Sequence, residues 1–203
     1  MNESYYKLCL EELSKIDKPK RLLLHSCCAP CSSHVISFLT NYFDITILYY
    51  NPNISPIEEY NKRKEEQIRL IKEIDKTNKI DIIDCDYDNN IYEKSIKGYE
   101  KCPERGDRCT ICFNLRLDKT AKVAKENNYD YFCSTLTVSP YKNSILINEI
   151  GRKMEEKYSI KWLYSDFKKD NGYKHSIELS KKYNLYRQNY CGCKYSVREK
   201  KYD

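Results

Sequence analysis

The sequence predicts an α/β fold with a mainly parallel sheet and flanking helices. Short apolar runs of strand length alternate along the chain with stretches of helical periodicity. Such alternation produces right-handed βαβ crossovers, so that the strands lie parallel in one sheet. Each run ends at reactive or polar residues, and the ends of parallel strands share the carboxyl edge of the sheet, where α/β proteins place their ligands.

Four strands and seven helices are expected from this pattern. The first strand is the leucine run from Leu22, which Ala29-Pro30 interrupts, and the others cover 45–50, 80–85 and 130–136. Helices are predicted at 2–17, 32–41, 56–74, 91–100, 115–126, in a segment that ends near 156, and at 176–183. We expect one domain, 1–203, in which 157–203 is a basic, tyrosine-rich C-terminal extension.

Composition restricts the class of protein. No run approaches the about 18 to 20 apolar residues that span a bilayer, and the first residues lack the apolar core of a signal peptide. These observations indicate a cytoplasmic protein with no membrane partner. The net charge of +6 suits a polyanion such as nucleic acid, although lysine-rich solvated surfaces produce the same balance. With five glycines and no Gly-rich phosphate loop, a dinucleotide or P-loop site is disfavoured.

The chain has eleven cysteines. An odd count without a secretion signal argues against a disulfide framework. Cys9, Cys85 and Cys133 stand among apolar or strand residues and are interpreted as small buried hydrophobic residues. Seven others are clustered, which indicates metal or redox chemistry, and they form three groups: Cys27, Cys28 and Cys31; Cys109 and Cys112; and Cys191 and Cys193.

Two of these groups have the spacing of metal ligands. Cys27 and Cys28 are adjacent and cannot easily form a disulfide with each other. Cys109 and Cys112 form a CxxC pair, a spacing that lets two thiolates reach one metal or one cluster face. Together the two pairs supply the four thiolates of a 4Fe-4S cluster. Zinc is the alternative, although zinc ribbons usually draw both ligand pairs from CxxC turns.

Cys191 and Cys193 are separated by one glycine. Residues i and i+2 of an extended segment face the same way, and the glycine lets the backbone tighten until the sulfurs can bond. Such a small ring would be strained and readily reduced, which suits a redox couple. A further pair of metal ligands is the alternative.

Lysines and arginines alternate with tyrosines in the C-terminal extension. Basic side chains neutralise phosphates while aromatic faces stack unpaired bases, so this pattern suits a single-stranded RNA loop. The alternative is a solvated helix whose tyrosines pack on the core. The candidate RNA-binding residues are Lys168, Lys169, Lys174, Arg187 and Lys194.

Five blocks, in this order and within about residues 20 to 200, resemble the QueH-type epoxyqueuosine reductases. The blocks are His25-Ser-Cys-Cys-Ala-Pro-Cys31; Tyr50-Asn-Pro-Asn-Ile-Ser-Pro-Ile-Glu-Glu-Tyr60 with Arg63; Arg108-Cys-Thr-Ile-Cys-Phe-Asn-Leu-Arg116; Ser134-Thr-Leu-Thr-Val-Ser-Pro-Tyr-Lys-Asn143; and Asp166-Phe-Lys-Lys to Arg187-Gln-Asn-Tyr-Cys-Gly-Cys193. The resemblance implies a Rossmann-like fold similar to that of the HUP superfamily, which includes the PP-loop ATPases. The Ser-Gly-rich ATP loop of those enzymes is replaced here by the cysteine motif.

The resemblance also implies a reaction on tRNA. An epoxide on the cyclopentane ring of the wobble nucleoside is reduced to an alkene with release of water, with electrons from a donor still to be identified. It implies a 4Fe-4S cluster held by the two ligand pairs, Cys27, Cys28, Cys109 and Cys112, and a redox-active disulfide between Cys191 and Cys193. A second, mononuclear iron is associated with the family, and Cys31 is its candidate ligand.

Side chains near the predicted sheet edge supply the remaining candidates. Asp86, Asp107 and Tyr141 are candidate proton donors, and His25 is interpreted as a structural residue at a strand end. Two other functions remain open. A PP-loop tRNA sulfur transferase would share the fold, cluster and substrate but would need ATP. A non-catalytic, zinc-stabilised RNA-binding module would explain the charge and the CxxC pair but not Cys191-Gly-Cys193.

Overall fold

The computed structural model describes residues 4–196. Its strands are β1 (Lys20–His25), β2 (Phe43–Tyr49), β3 (Ile80–Asp84), β4 (Tyr131–Ser134) and β5 (Lys161–Trp162). They form one sheet in the order β3-β2-β1-β4-β5, and every neighbouring pair is parallel. The predicted α/β fold with a parallel sheet is therefore confirmed.

Seven α-helices connect and flank the strands. They are α1 (Tyr5–Leu13), α2 (Ala29–Leu39), α3 (Ile57–Glu73), α4 (Asn89–Ser95), α5 (Asp107–Glu126), α6 (Ser144–Tyr158) and α7 (Gly172–Lys182). Short 3-10 helices cover Thr135–Val138 and Lys194–Ser196. None of the helices within 4–196 is long and apolar enough to cross a membrane.

The structure differs from the prediction at two helix starts near the cysteines and at one strand. Helix α2 begins at Ala29, three residues early, because Pro30 fits the first turn of a helix, where no backbone N–H bond is lost. Helix α5 begins at Asp107, so that Cys109 and Cys112 lie inside the helix rather than before it. The sequence analysis missed β5, whose two residues are too short for a recognisable pattern.

The central strand β1 is the most deeply buried part of the sheet. Leu22, Leu23 and Leu24 have no exposed surface, since helices cover both faces of a parallel sheet. Leu22 is in register with Ile45 on one side and Tyr131 on the other. The carboxyl end of β1 is thus fixed between β2 and β4, and the residues that follow it emerge at the middle of the sheet edge.

The C-terminal extension packs on the same core as the sheet. Phe167 and Leu185 belong to the hydrophobic cluster that contains β1. Helix α7 lies against α2, where Nδ1 of His34 is 3.0 Å from Nδ1 of His175. Residues 1–3 of the predicted first helix and 197–203 of the extension lie outside the described residues, and the single-domain assignment of 1–203 stays a prediction.

Candidate functional site: a cysteine-lined double cavity

Three cysteines follow the central strand at the start of α2. Cys28 is the N-cap residue with extended backbone, and Cys31 lies in the first turn. The Sγ atoms of Cys27 and Cys28 are 3.9 Å apart, and those of all three cysteines lie within 4.8 Å of one another. A metal held by the three sulfurs would need little rearrangement of the chain, because structural metal–thiolate distances are about 2.3 Å.

The three thiols differ in pKa. Hydrogen bonding with Cys28 and Cys31 lowers the pKa of Cys27 well below the ordinary thiol value. The same contacts with Cys27 raise the pKa of Cys28, and they raise that of Cys31 to about 12. Gln188 donates a hydrogen bond from Nε2 to Cys28 Sγ over 2.9 Å. Cys27 is therefore the most acidic thiol of the group, and thiolates are the ligands and nucleophiles of cysteine chemistry.

A second pair of thiols lies in the first two turns of α5. The backbone N–H of Arg105 donates to Cys109 Sγ over 3.2 Å. Cys112 is buried, and burial raises its pKa to about 12. Because Cys27, Cys28, Cys31 and Cys109 stand at the N-terminal ends of α2 and α5, the helix dipoles favour negative charge on their sulfurs.

The segment that carries Cys191 and Cys193 is held mainly through its backbone. Arg63 donates from Nη1 to the carbonyl oxygen of Cys191 (3.2 Å) and from Nη2 to that of Tyr190 (3.3 Å). The N–H of Ser55 donates to the carbonyl oxygen of Gly192 (2.9 Å). Gly192 has a φ of +106°, and a Cβ there would lie 2.8 Å from Cγ1 of Ile54. Glycine is required both for this backbone conformation and for the close approach.

The two thiols of this segment differ in their surroundings. Cys193 is buried, and its Sγ lies 3.0 Å from the hydroxyl of Tyr92, itself buried on α4. Cys191 is partly exposed. All eleven cysteines lie within the described residues as free thiols.

Two adjoining cavities bring the three cysteine groups together. The larger cavity, about 310 Å³, is lined by Cys27 and Cys31, and the smaller, about 50 Å³, by Cys109, Cys112 and Cys193. Cys191, Tyr141 and Lys142 line both cavities. The predicted ligand pairs therefore lie beside neighbouring cavities, and their joining into one four-cysteine site stays a prediction.

Two cations stand beside the sulfurs. The guanidinium of Arg116 is 1% exposed, and its Nε donates to the carbonyl oxygen of Cys112 over 3.1 Å. Burial opposes the charges of Arg116 and Lys142, yet the pKa values of both lie above the ordinary ones. The sulfurs of Cys112 and Cys191 raise the pKa of Arg116. Those of Cys191 and Cys27 raise the pKa of Lys142. The site is therefore built to hold negative charge.

The structure separates the candidate proton donors. Tyr141 lines both cavities and is 54% exposed. Asp86 and Asp107 are exposed and line neither cavity. His25 is fully buried, with Nδ1 3.0 Å from Ser134 Oγ and Nε2 3.2 Å from the carbonyl oxygen of Tyr50. Burial lowers the pKa of His25 to about 3, so it is neutral and both ring nitrogens have partners, as a structural role requires.

The candidate RNA-binding residues are distributed unevenly around the site. Arg187 lines the larger cavity and donates to Ser180 Oγ over 2.9 Å. Lys169 and Lys174 are exposed. The other two are engaged in ion pairs, Lys168 with Asp166 and Lys194 with Glu93. Their role in binding RNA stays a prediction.

Four residues of the site were missed by the sequence analysis as functional candidates. Arg116 follows Cys112 by four residues, so the helical spacing of 109, 112 and 116 was a usable signal. Lys142 and Gln188 lie within the blocks that resemble the family but were not singled out there, and Tyr92 lies outside the blocks. Local spacing therefore finds only those site residues that share an element.

Comparison with protein families gives a match to the model described as "Epoxyqueuosine reductase QueH" over residues 22–199. Curated proteins of that name are similar to this chain over most of their length. The protein from Streptococcus pyogenes serotype M1 is 42% identical, over 95% of this chain and 78% of that relative. The protein from Staphylococcus epidermidis is 46% identical (89% and 77%), and that from Thermotoga maritima is 33% identical (89% and 92%).

Solved structures support the fold. The chain is similar to a predicted subunit of tRNA methyltransferase from Methanocaldococcus jannaschii DSM, with a TM-score of 0.51 and 15% identity. The similarity covers 79% of this chain and 74% of that chain, and it concerns the fold alone. The family match and the curated relatives carry the assignment further: this chain belongs to the QueH family of epoxyqueuosine reductases and is an oxidoreductase.

Proposed function

We propose that the chain reduces epoxyqueuosine to queuosine at the wobble position of tRNA, using Cys191 and Cys193 as a redox pair. Both C–O bonds of the epoxide break, a C=C bond forms, and the oxygen leaves as water, which requires two electrons and two protons. Oxidation of the two thiols to a disulfide supplies both. An electron donor still to be identified then restores the dithiol. The observation that carries the proposal is that Cys191 lines both cavities.

The donor set suits an iron-sulfur cluster. We assign Cys27, Cys28, Cys109 and Cys112 as its ligands and Cys31 as the candidate ligand of a separate mononuclear iron. All of these except Cys112, which lies in the second turn of α5, stand at helix N-termini. Nη2 of buried Arg116 has no hydrogen-bond partner among the described residues, so the site has positive charge for a net-negative thiolate cluster to balance. When bound, a 4Fe-4S cluster supplies one-electron transfer.

The larger cavity is the proposed site of the modified base. Its volume of about 310 Å³ is at the small end of the range for ligand pockets, which suits a base turned out of its stack. Lys142 and Tyr141 line it beside Cys191. In this proposal the ammonium of Lys142 stabilises negative charge on the epoxide oxygen, and the phenol of Tyr141 gives it a proton.

The anticodon loop is proposed to lie across the start of α7. Tyr173 and Ser176 of this helix line the larger cavity, so α7 forms part of its wall. Lys174 lies between them in sequence and is exposed, and Arg187 lines the cavity itself. Basic residues on the wall of a base-sized cavity are well placed to bind the phosphates that flank the base.

Metal analysis after anaerobic purification tests the cofactor. We expect about four irons and four sulfides per chain, with broad absorbance that bleaches on reduction, and a fifth iron if the mononuclear site at Cys31 is filled. Zinc without sulfide, in protein never exposed to air, would contradict the redox mechanism and favour the zinc-stabilised RNA-binding module.

A matched pair of variants tests the redox role of Cys191. Cys191→Ser should abolish multiple-turnover reduction of epoxyqueuosine in tRNA, because one thiol cannot form the disulfide. Cys85→Ser is the control, since Cys85 is half-buried and lines neither cavity, and it should keep its activity. Multiple turnover in the Cys191 variant at the control's rate would remove the dithiol from the mechanism.

A further inference from the structure

We propose that Arg116 raises the reduction potential of the iron-sulfur site by holding, beside its sulfurs, a buried positive charge that forms no ion pair with a carboxylate within residues 4–196. This inference rests on the cluster of the proposed function. It assigns Arg116 a positioning and tuning role. In this role the side chain neither contacts the substrate nor carries electrons itself.

The surroundings of Arg116 explain why its charge is available. Among the described residues its side chain makes one hydrogen bond, from Nε to the carbonyl oxygen of Cys112 one turn earlier in α5, and Nη2 has no partner there. The guanidinium carbon lies 5.5 Å from the ring centroid of Phe113. Within residues 4–196 no carboxylate forms an ion pair with it. A buried charge without a partner costs several kcal/mol, so the fold alone gives no reason for this residue.

Two other arginines, Arg63 and Arg108, are also deeply buried. Arg63 has an ion-pair partner, and both donate more hydrogen bonds than Arg116 does. Arg63 forms an ion pair with Glu59 (2.7 Å) and donates to two backbone carbonyl groups. Arg108 donates from Nη1 to the carbonyl oxygen of Glu100 (2.8 Å) and to others in the same loop. Both hold loops in place. Arg108 also lines the smaller cavity, but its Nη1 is bonded to those loop carbonyl groups. Arg116 lines the same cavity with the sulfurs of the CxxC and CxC pairs, and its Nη2 has no partner among residues 4–196.

The charge of Arg116 could face either a bound ligand or the cysteine sulfurs. The volume of the smaller cavity decides between the two. At about 50 Å³ the cavity is far below the about 300 Å³ at which ligand pockets begin. A nucleotide base is too large for this cavity, whereas the sulfurs of Cys109, Cys112 and Cys193 already line it. The negative charge that Arg116 faces is therefore that of the sulfur ligands.

The direction of the effect follows from electrostatics. Reduction of a cluster adds one negative charge, and a cation in a water-excluded site stabilises the more negative state more strongly. Arg116 should therefore make the site easier to reduce. Such tuning suits an enzyme that must accept electrons from a donor and pass them to a carbon–oxygen bond.

The test compares midpoint potentials of the holoenzyme in anaerobic redox titrations followed by EPR. Arg116→Gln keeps a hydrogen-bonding side chain but removes the charge, and its potential should shift to a more negative value. Arg116→Lys keeps the charge and should lie between the wild type and the glutamine variant. The control is Lys122→Gln, which removes one charge from the exposed face of the same helix and should leave the potential unchanged.

Two outcomes overturn the inference. The first is a loaded Arg116→Gln enzyme with the wild-type potential. The second concerns the metal-free full chain, where loss of an unpaired buried charge should raise the urea midpoint of Arg116→Gln above that of the wild type. A lower urea midpoint of Arg116→Gln would show that the charge is compensated within the fold. Because this measurement uses the metal-free chain, it can be made even if the variant does not bind the cluster. A wild-type protein without iron and sulfide would instead refute the proposed cofactor.

Discussion

Replacing Gly192 by alanine should detach the segment that carries Cys191 and Cys193. A non-glycine residue at a φ of +106° costs about 1–3 kcal/mol. The new Cβ would also lie 2.8 Å from Cγ1 of Ile54 and 3.0 Å from Nη1 of Arg63. Relief of such crowding costs a further ~1–3 kcal/mol, and moving Arg63 also breaks its hydrogen bonds to the carbonyl groups of Tyr190 and Cys191.

Gly98→Ala is the matched control for backbone strain. Gly98 has a φ of +89°, but no heavy atom lies within 4 Å of the position of its Cβ. Urea unfolding should therefore show Gly192→Ala to be less stable than Gly98→Ala by about 1–3 kcal/mol. Alkylation of Cys191 and Cys193 should also be faster in the Gly192 variant alone. Equal losses of stability and equal labelling rates in the two variants would refute the crowding argument.

Three further substitutions test individual contacts. Tyr92→Phe leaves Cys193 Sγ without its buried partner, so we expect a loss of about 1 kcal/mol and faster labelling of Cys193, and unchanged labelling would contradict the contact. Burial and then His175 lower the pKa of His34 from 6.5 to about 4, so stability should fall, by at most ~3 kcal/mol, as the pH drops from 6.5 towards 4. In urea titrations at several pH values, His34→Gln should weaken this dependence of stability on pH. The same pH dependence in the variant and the wild type would show that His34 and His175 are not its cause. Asn143→Ala removes the side-chain oxygen that caps α6 and should cost about 0.5–2 kcal/mol, whereas full stability would show that the cap is dispensable.

The parallel sheet was predictable because its inner strands are buried on both faces. The run at Leu22–Leu24 is fully buried, and β2 is buried from Ile47 to Tyr49 after the exposed Asp44, a pattern typical of strands in a covered parallel sheet. Edge strand β5 was not predictable, because its two residues are defined by pairing with β4 rather than by any pattern of their own. Sequence patterns thus report burial well and pairing partners poorly.

The cysteine groups were visible in the sequence, but their arrangement was not. Each group consists of neighbours in the chain, so spacing alone revealed the sets around Cys27, Cys109 and Cys191. Which sets share a cavity depends on the order of strands and on the path of the C-terminal segment. The buried charge of Arg116 was not predictable for a similar reason. In a basic sequence, an arginine on a helix is normally interpreted as part of a solvated surface.

The hydrogen bond between Gln188 and Cys28 joins residues that are 160 positions apart. A ribosome that adds about 5–20 residues per second makes the second residue about 8–32 s after the first. During that interval the nascent chain presents the three N-terminal thiols without the segment that later covers them. The larger cavity, which Cys27 and Cys31 line from one side, therefore acquires its wall of residues 187–191 only near the end of synthesis.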